Sequence, residues 1–264
     1  MSPLSSCLAR QLFFSFAGRR ADLRLRLLLL TTIFMIERLF SFFVFGSPTF
    51  YRICMNKTVE EFKPDPYIGA VINCIFWVFY GIITPNSTLV ITINSIGLFL
   101  ELVYLAIFLY FSKQQRRKIC LFLLAEVGVT AVIACIALLA IDSQSKRSIL
   151  VGVFSVVFGL ILYSSPLTIM KKVIDTKSVE FMPFWLSVAC FSNGLIWAAY
   201  ALIKVPPTMR IDWYILTANG LGAICAAAQL ILYAMYFGST PKSKTSDDPK
   251  KPKGSKPEVQ LSEV

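Results

Sequence analysis

The sequence predicts an all-α membrane protein of seven transmembrane helices, arranged as two parallel three-helix repeats joined by a linker helix (3+1+3). Three observations carry that prediction. The 264 residues are 56% hydrophobic and only 16% charged, with a mean hydropathy of +0.67, far above an ordinary water-soluble domain. The apolar residues fall in runs of membrane-crossing length, because a helix rises about 1.5 Å per residue and needs about 20 residues to cross a hydrocarbon core of about 30 Å. A short pattern of Asn, Trp and Tyr also occurs twice, once in each half of the chain.

The elements follow in order. Residues 1–26 form a basic, nearly acid-free opening that resembles an organellar targeting segment in composition or stands as an atypical stretch outside the fold. A first span is read over residues 27–50, although Glu37 and Arg38 interrupt it, and a charge at mid-bilayer costs about 2.5–3.5 kcal/mol on insertion scales. Six uninterrupted runs follow at residues 67–84, 89–111, 119–141, 149–169, 184–203 and 213–237. The chain after Gly238 is rich in Lys, Pro and Ser and is read as a disordered cytosolic tail. The division is therefore 1–26, a first repeat at 27–111, a linker helix with flanking loops at 112–148, a second repeat at 149–237, and a tail at 238–264.

The formal charge of +11 is not a nucleic-acid footprint, because the basic residues sit in short clusters between apolar runs. One set of loops holds Arg52, Lys57, Lys63, Lys113, Arg116, Arg117, Lys118, Lys171, Lys172, Lys177 and the tail lysines; the opposite set holds only Lys146, Arg147, Lys204 and Arg210. Cytosolic loops carry such an excess, which places the tail inside and the amino terminus outside. No histidine is present, so His-based triads, zincin-type sites and haem ligation by His are excluded. The seven cysteines show no CxxC spacing and are read as small packing residues. No enzyme activity, metal or cofactor is expected.

The repeat is specific. Asn73, Trp77 and Tyr80 recur 120 positions on as Asn193, Trp197 and Tyr200, and Val59-Glu60 recurs as Val179-Glu180 at the same displacement. Upstream, Ser47-Pro48 matches Ser165-Pro166; downstream, Thr92-Ile93-Asn94 with Gly97 matches Thr217-Ala218-Asn219 with Gly222. An odd number of spans per repeat inverts the second copy, and one extra linker helix restores a common orientation. Parallel repeats of this kind occur in transporters that bind substrate between their halves near the bilayer midplane.

An asparagine at membrane depth needs partners for two donors and two acceptor lone pairs. Asn94 and Asn219 occupy matched places, and Trp77 and Trp197 add flat apolar faces, a combination suited to a neutral polyhydroxylated solute. The competing reading gives the amides to helix–helix hydrogen bonds and the indoles to the core or an interfacial belt. For Asn73 and Asn193 helix-to-helix bonding is the reading preferred. Pro48, Pro66, Pro166 and Pro183 lie at span ends, either as hinges or as ordinary helix starts. Glu101 and Glu126 lie inside spans, read as packing carboxyls in preference to a proton relay.

The stretches from Pro48 (PTFYRI), Thr88 (TLVITINS), Ser165 (SPLTIM) and above all Thr176 (TKSVEFMPFW) resemble the SWEET family of sugar transporters over residues 45–237. The resemblance implies a 3+1+3 bundle carrying mono- or disaccharides by alternating access, often as a homo-oligomer. It further implies Asn94 and Asn219 as sugar-binding asparagines, Trp77 and Trp197 as flanking pocket residues, Pro66, Pro166 and Pro183 as three of four hinge prolines, and Tyr80 with Asp212 as an extracellular gate. The wording around Phe181 and Trp197 resembles the plant hexose-carrying branch more than the sucrose branch. Gly46 stands at the fourth hinge position, and Ala218 replaces the proline that usually precedes the second asparagine.

The expectation is a facilitative, bidirectional hexose uniporter of the plasma membrane, partnered by sugar, the lipid bilayer and further copies of itself. An ion- or proton-coupled carrier on the same scaffold is the alternative. A seven-span signalling receptor is the alternative from another class, and it offers no reason for two matched three-span halves.

Overall fold

The computed structural model describes residues 47–59, 62–203 and 211–240. These fold into helices α1 (Ser47–Asn56), α2 (Asp65–Ile83), α3 (Thr88–Phe111), α4 (Lys113–Cys135, continued by a π-helical turn Ile136–Ala140), α5 (Gln144–Ile161), α6 (Ser164–Thr176), α7 (Phe184–Ile203) and α8 (Trp213–Tyr236), the last followed by a 3₁₀ turn Phe237–Ser239. Six helical stretches among the described residues are long and apolar enough to cross a membrane, α5 and α6 together forming one of them. They coincide with the six uninterrupted runs of the sequence. The first run lies outside the described residues, as do Glu37, Arg38, Gly46 and residues 1–26, except that its last positions begin α1.

Local chemistry sets the helix ends. Ser112 opens α4 by accepting from the Gln115 amide at 3.2 Å, and Asp212 opens α8 by accepting from the Ile215 amide at 3.2 Å, each satisfying a donor that has no partner inside the helix. Pro66 is the second residue of α2, where its missing N–H costs nothing. Lys57 and Lys177, 120 positions apart, each follow the end of a helix with φ 53°. This left-handed conformation costs a non-glycine residue about 1 kcal/mol, so its recurrence carries the duplication into the backbone.

The halves pack alike. In the first, α2 lies along α3 and α1 touches α3; in the second, α7 lies along α8 and α6 touches α8. Helix α5 joins the halves by packing on both α2 and α8, while α4 rests on α3 and α2. The buried apolar residues form three clusters that describe the bundle's posture. One is shared, bringing Phe76, Trp77, Tyr80 and Ile93 together with Trp197, Tyr200 and Ile215. The other two are private, one around Phe50, Tyr104 and Phe108 of the first half and one around Val173, Val179 and Met182 of the second. The shared cluster lies toward the end holding Ile83, Thr88 and Trp213; the private clusters lie toward the end holding Asn56, Thr176 and Phe184. The halves therefore meet at one end and part at the other.

The structure corrects several expectations. The fifth span begins at Gln144, not 149, because Arg147 turns back to donate to the carbonyls of Ile141 and Leu138 at the end of α4, which lets helix start inside the expected loop. The same span is broken at Leu162–Tyr163, three residues before Pro166. The tail does not begin at 238: Phe237–Ser239 continue as a 3₁₀ turn, and the Thr240 hydroxyl accepts from the Val179 amide at 2.9 Å. Among the described cysteines, none of which forms a disulfide with another described residue, Cys74 is buried and Cys225 half-buried, while Cys54, Cys120, Cys135 and Cys190 are exposed on the protein's surface, so core packing does not describe those four.

Candidate functional site

The geometry of the site begins with two helices of equal length. Asn94 and Asn219 are each the seventh residue of a 24-residue helix, α3 and α8. The Asn94 amide donates from Nδ2 to the Val90 carbonyl at 2.9 Å, and the Asn219 amide to the Ile215 carbonyl at 3.0 Å. Each spends one N–H on its own helix, which fixes the amide plane and leaves one donor and the carbonyl oxygen for another partner. Both asparagines line a single cavity of about 230 Å³ between the halves.

Trp77 and Trp197 line the same cavity. Each is braced by the tyrosine three residues on, with ring centroids 5.7 Å apart at 85° for Trp77–Tyr80 and 5.6 Å at 86° for Trp197–Tyr200. Edge-to-face pairs of this kind hold an indole in one orientation. Every sequence-derived binding residue thus reaches one place, from four different helices.

Asn73 and Asn193 also line the cavity, and neither Oδ1 atom has a hydrogen-bond partner among the described residues. This overturns their assignment to helix–helix bonding. The signal was available, since each lies four residues before its tryptophan and so shares that tryptophan's helix face. Sequence reasoning also missed Tyr163, which reaches the cavity from the break between α5 and α6 and donates to the Ala218 carbonyl at 2.9 Å. Gly222 makes room for it, because a Cβ there would overlap the Tyr163 hydroxyl. Glu101 lines the cavity two turns beyond Asn94. Glu126 does not; it is buried on α4, its Oε2 without a hydrogen-bond partner among the described residues.

One end of the cavity is shut. The Tyr80 hydroxyl donates to the Asp212 carboxylate, 2.9 Å from Oδ1 and 3.0 Å from Oδ2, across the divide between the halves. The same end carries Thr84 bonded to Ser148 at 3.3 Å and Gln144 bonded to the Ile83 carbonyl. In the other direction the lining continues through Ala70, Glu101 and Leu162 toward the parted end. Pro166 is the third residue of α6, directly after the break its missing N–H imposes on the Leu162 carbonyl. Pro183 immediately precedes α7, and its carbonyl accepts from the Ser187 amide at 3.3 Å. Its structural counterpart is Pro64, not Pro66: Pro64 immediately precedes α2 and accepts from the Ile68 amide at 3.0 Å. No group of His, Cys, Asp or Glu able to hold a metal occurs among the described residues.

Comparison with known proteins decides the family. The family model described as a sugar efflux transporter for intercellular exchange matches residues 31–116 and 149–241, covering both three-helix units and skipping most of α4. The chain belongs to the SWEET family. It is 50% identical over 208 residues to the bidirectional sugar transporter SWEET7b of Oryza sativa subsp. indica, covering 78% of this chain and 76% of that protein. It is 51% identical over 207 residues to the bidirectional sugar transporter SWEET4 of Arabidopsis thaliana, covering 76% of this chain and 80% of that one. The solved 3.7 Å structure of a eukaryotic SWEET transporter superposes with a TM-score of 0.68 at 34% identity, covering 80% of this chain and 94% of the other. The SWEET match begins at residue 31 and so takes in Glu37 and Arg38, upstream of the sequence resemblance at residue 45.

Proposed function

We propose that this SWEET protein is a facilitative uniporter of hexoses, working by alternating access. The observation that carries the reading is the matched pair Asn94 and Asn219, each with amide groups left over for sugar hydroxyls, facing one cavity between Trp77 and Trp197. An amide supplies donor and acceptor to adjacent hydroxyls, while an indole face packs on the C–H surface of a pyranose ring. The cavity volume of about 230 Å³ is below the roughly 300–1,000 Å³ of pockets for drug-sized ligands, which favours one sugar ring over two. Relatives named as bidirectional sugar transporters support a carrier driven by the sugar gradient alone.

The three-helix units, residues 27–111 and 149–237, are the rocking bodies, with α4 as linker. Tyr80 and Asp212 form the outer gate, and the α5–α6 break at Pro166 is the principal hinge. The parted end carries the basic loops, so by the positive-inside rule it faces the cytosol, with the amino terminus outside. The plasma membrane is the assigned location, and the long apolar face of α4 leaves room for further copies of the chain.

The test is uptake of labelled glucose and sucrose into proteoliposomes with and without a proton gradient. Glucose is expected to equilibrate, sucrose to enter far more slowly, and the gradient to change neither. Gradient-stimulated accumulation overturns the uniporter reading, and equal rates for the two sugars overturn the hexose preference.

A further inference from the structure

We infer that Tyr163 is a positioning residue that latches the second hinge: its hydroxyl, bonded to the Ala218 carbonyl beside Asn219, holds the parted arrangement of the halves and lets go when the parted end closes. The inference rests on the alternating-access reading above. Tyr163 straddles the break between α5 and α6. Its amide donates back to the Leu160 carbonyl of α5 at 3.0 Å, and its carbonyl accepts forward from the Leu167 amide of α6 at 3.1 Å. A change in the angle between those two helices turns this residue. Helix α5 packs on both halves, through α2 and α8, and α6 packs on α8, so movement of the second half against the first is taken up here.

The side chain leaves both helices and crosses to α8, where the hydroxyl donates to the Ala218 carbonyl at 2.9 Å. The ring has no slack on that surface. A Cβ added at Gly222 would overlap the hydroxyl and stand 2.7 Å from Cζ and 3.2 Å from Cε1. A hydrogen bond weakens steeply once its angle is lost, and a ring seated this closely cannot follow a turn of its own backbone, so closing the break ends the bond. Because Ala218 and Asn219 are neighbours, the latch ties the hinge to the turn of α8 that presents the binding amide. The first half offers no counterpart. In the register that aligns Ser47-Pro48 with Ser165-Pro166, and Asn94 with Asn219, Tyr163 is matched by Phe45, Ala218 by Ile93 and Gly222 by Gly97. Phe45 lies outside the described residues, and phenylalanine has no hydroxyl. The glycine that makes room occurs in both halves and the hydroxyl in one, so this catch belongs to the second hinge.

The experiment compares Tyr163→Phe with the unaltered full chain in nanodiscs, where both faces meet a water-soluble thiol reagent. Labelling is followed peptide by peptide at Ala70→Cys, on the cavity lining toward the parted end, and at Val90→Cys, on the lining toward the Tyr80–Asp212 end. Phenylalanine keeps the ring on Gly222 and removes one buried neutral hydrogen bond. Val90→Cys is expected to label about two- to tenfold faster, and Ala70→Cys more slowly. A merely structural loosening raises both rates together. Gly222→Ala, whose added methyl displaces the hydroxyl, is expected to move the two rates in the same opposite directions, and it serves if Tyr163→Phe fails to insert. Rates that stay unchanged at both positions, move in one sense at both, or move in the reverse senses overturn the latch. Absence of glucose exchange into proteoliposomes of the unaltered protein overturns the carrier reading itself, a separate outcome.

Discussion

The two halves of the bundle repeat one another closely at the site and differ around it. Each half presents an asparagine with its amide bonded back one turn and an indole braced by a tyrosine, in geometries that agree to within 0.1 Å and one degree. Away from the cavity the symmetry lapses. The N-terminal cap of α8 is Asp212, whereas that of α3 is Ser87; Ala226 stands where the first half has Glu101, and Cys74 where the second half has Gly194. The stacked rings of Phe50 and Tyr104, 4.0 Å apart, correspond to Thr168 and Gln229. A duplicated carrier can bind a pseudo-symmetric ring with equal halves, but a gate and hinges that open at one end at a time require unequal ones. At these matched places the first half packs with stacked rings, and the second brings α7 and α8 together at Gly194.

Variants can break or sharpen that comparison. The largest effect is expected for Asn219→Ala, with Asn94→Ala beside it: if the halves contribute equally to binding, each loses sugar uptake to background while inserting normally, as read by proteoliposome uptake and surface labelling. Unchanged transport in either returns that asparagine to a packing role. Next is Gly194→Val. A Cβ at Gly194 would lie 2.8 Å from the Ala223 amide nitrogen and 2.9 Å from the Asn219 carbonyl oxygen, backbone that does not yield, so the variant is expected to lose about 1–3 kcal/mol or more of stability. Cys74→Val at the matched place is expected to lose much less, and thermal unfolding in detergent compares the two.

A smaller change is expected for Tyr80→Phe, which removes a hydrogen bond to a carboxylate worth about 1.5–3 kcal/mol. The equilibrium then shifts about tenfold or more toward opening of the Tyr80–Asp212 end, read as faster labelling of Val90→Cys by an impermeant thiol reagent added on that side. Tyr200→Phe, for which the first half offers the neutral Ser87 at the cap matched to Asp212, is expected to shift it less. The smallest effect is expected for the prolines. Pro166→Ala lets an amide return to the Leu162 carbonyl and is expected to slow transport a few-fold, whereas Pro66→Ala, at a first-turn position, changes little; stopped-flow uptake separates them.

The spans were legible because hydrocarbon thickness imposes a run length that few soluble helices meet, and the repeat was legible because Asn-x3-Trp-x2-Tyr is rare enough to notice twice. The cavity followed from both. What remained hidden depended on contacts that no periodicity encodes. The early start of α5 comes from Arg147 folding back onto carbonyls of α4, and the ordered Thr240 comes from an amide 61 positions away. Asn73 and Asn193 were assigned to the wrong partner because composition gives a buried amide its need but not its direction. Pro64 was overlooked because Pro66 is the more conspicuous first-turn proline, although it is Pro64 that stands where Pro183 stands.

The placement of the two asparagines at the seventh position of 24-residue helices divides the path unequally. About 9 Å of helix separates them from the gated end and about 25 Å from the parted end. The plug at the Tyr80–Asp212 end is therefore barely two turns thick, made of a few aromatic rings and one carboxylate. The longer stretch of helix lies on the other side, where the cavity lining reaches Glu101, so the residues between Glu101 and the parted end, not the asparagines, bound how large a solute can approach from there.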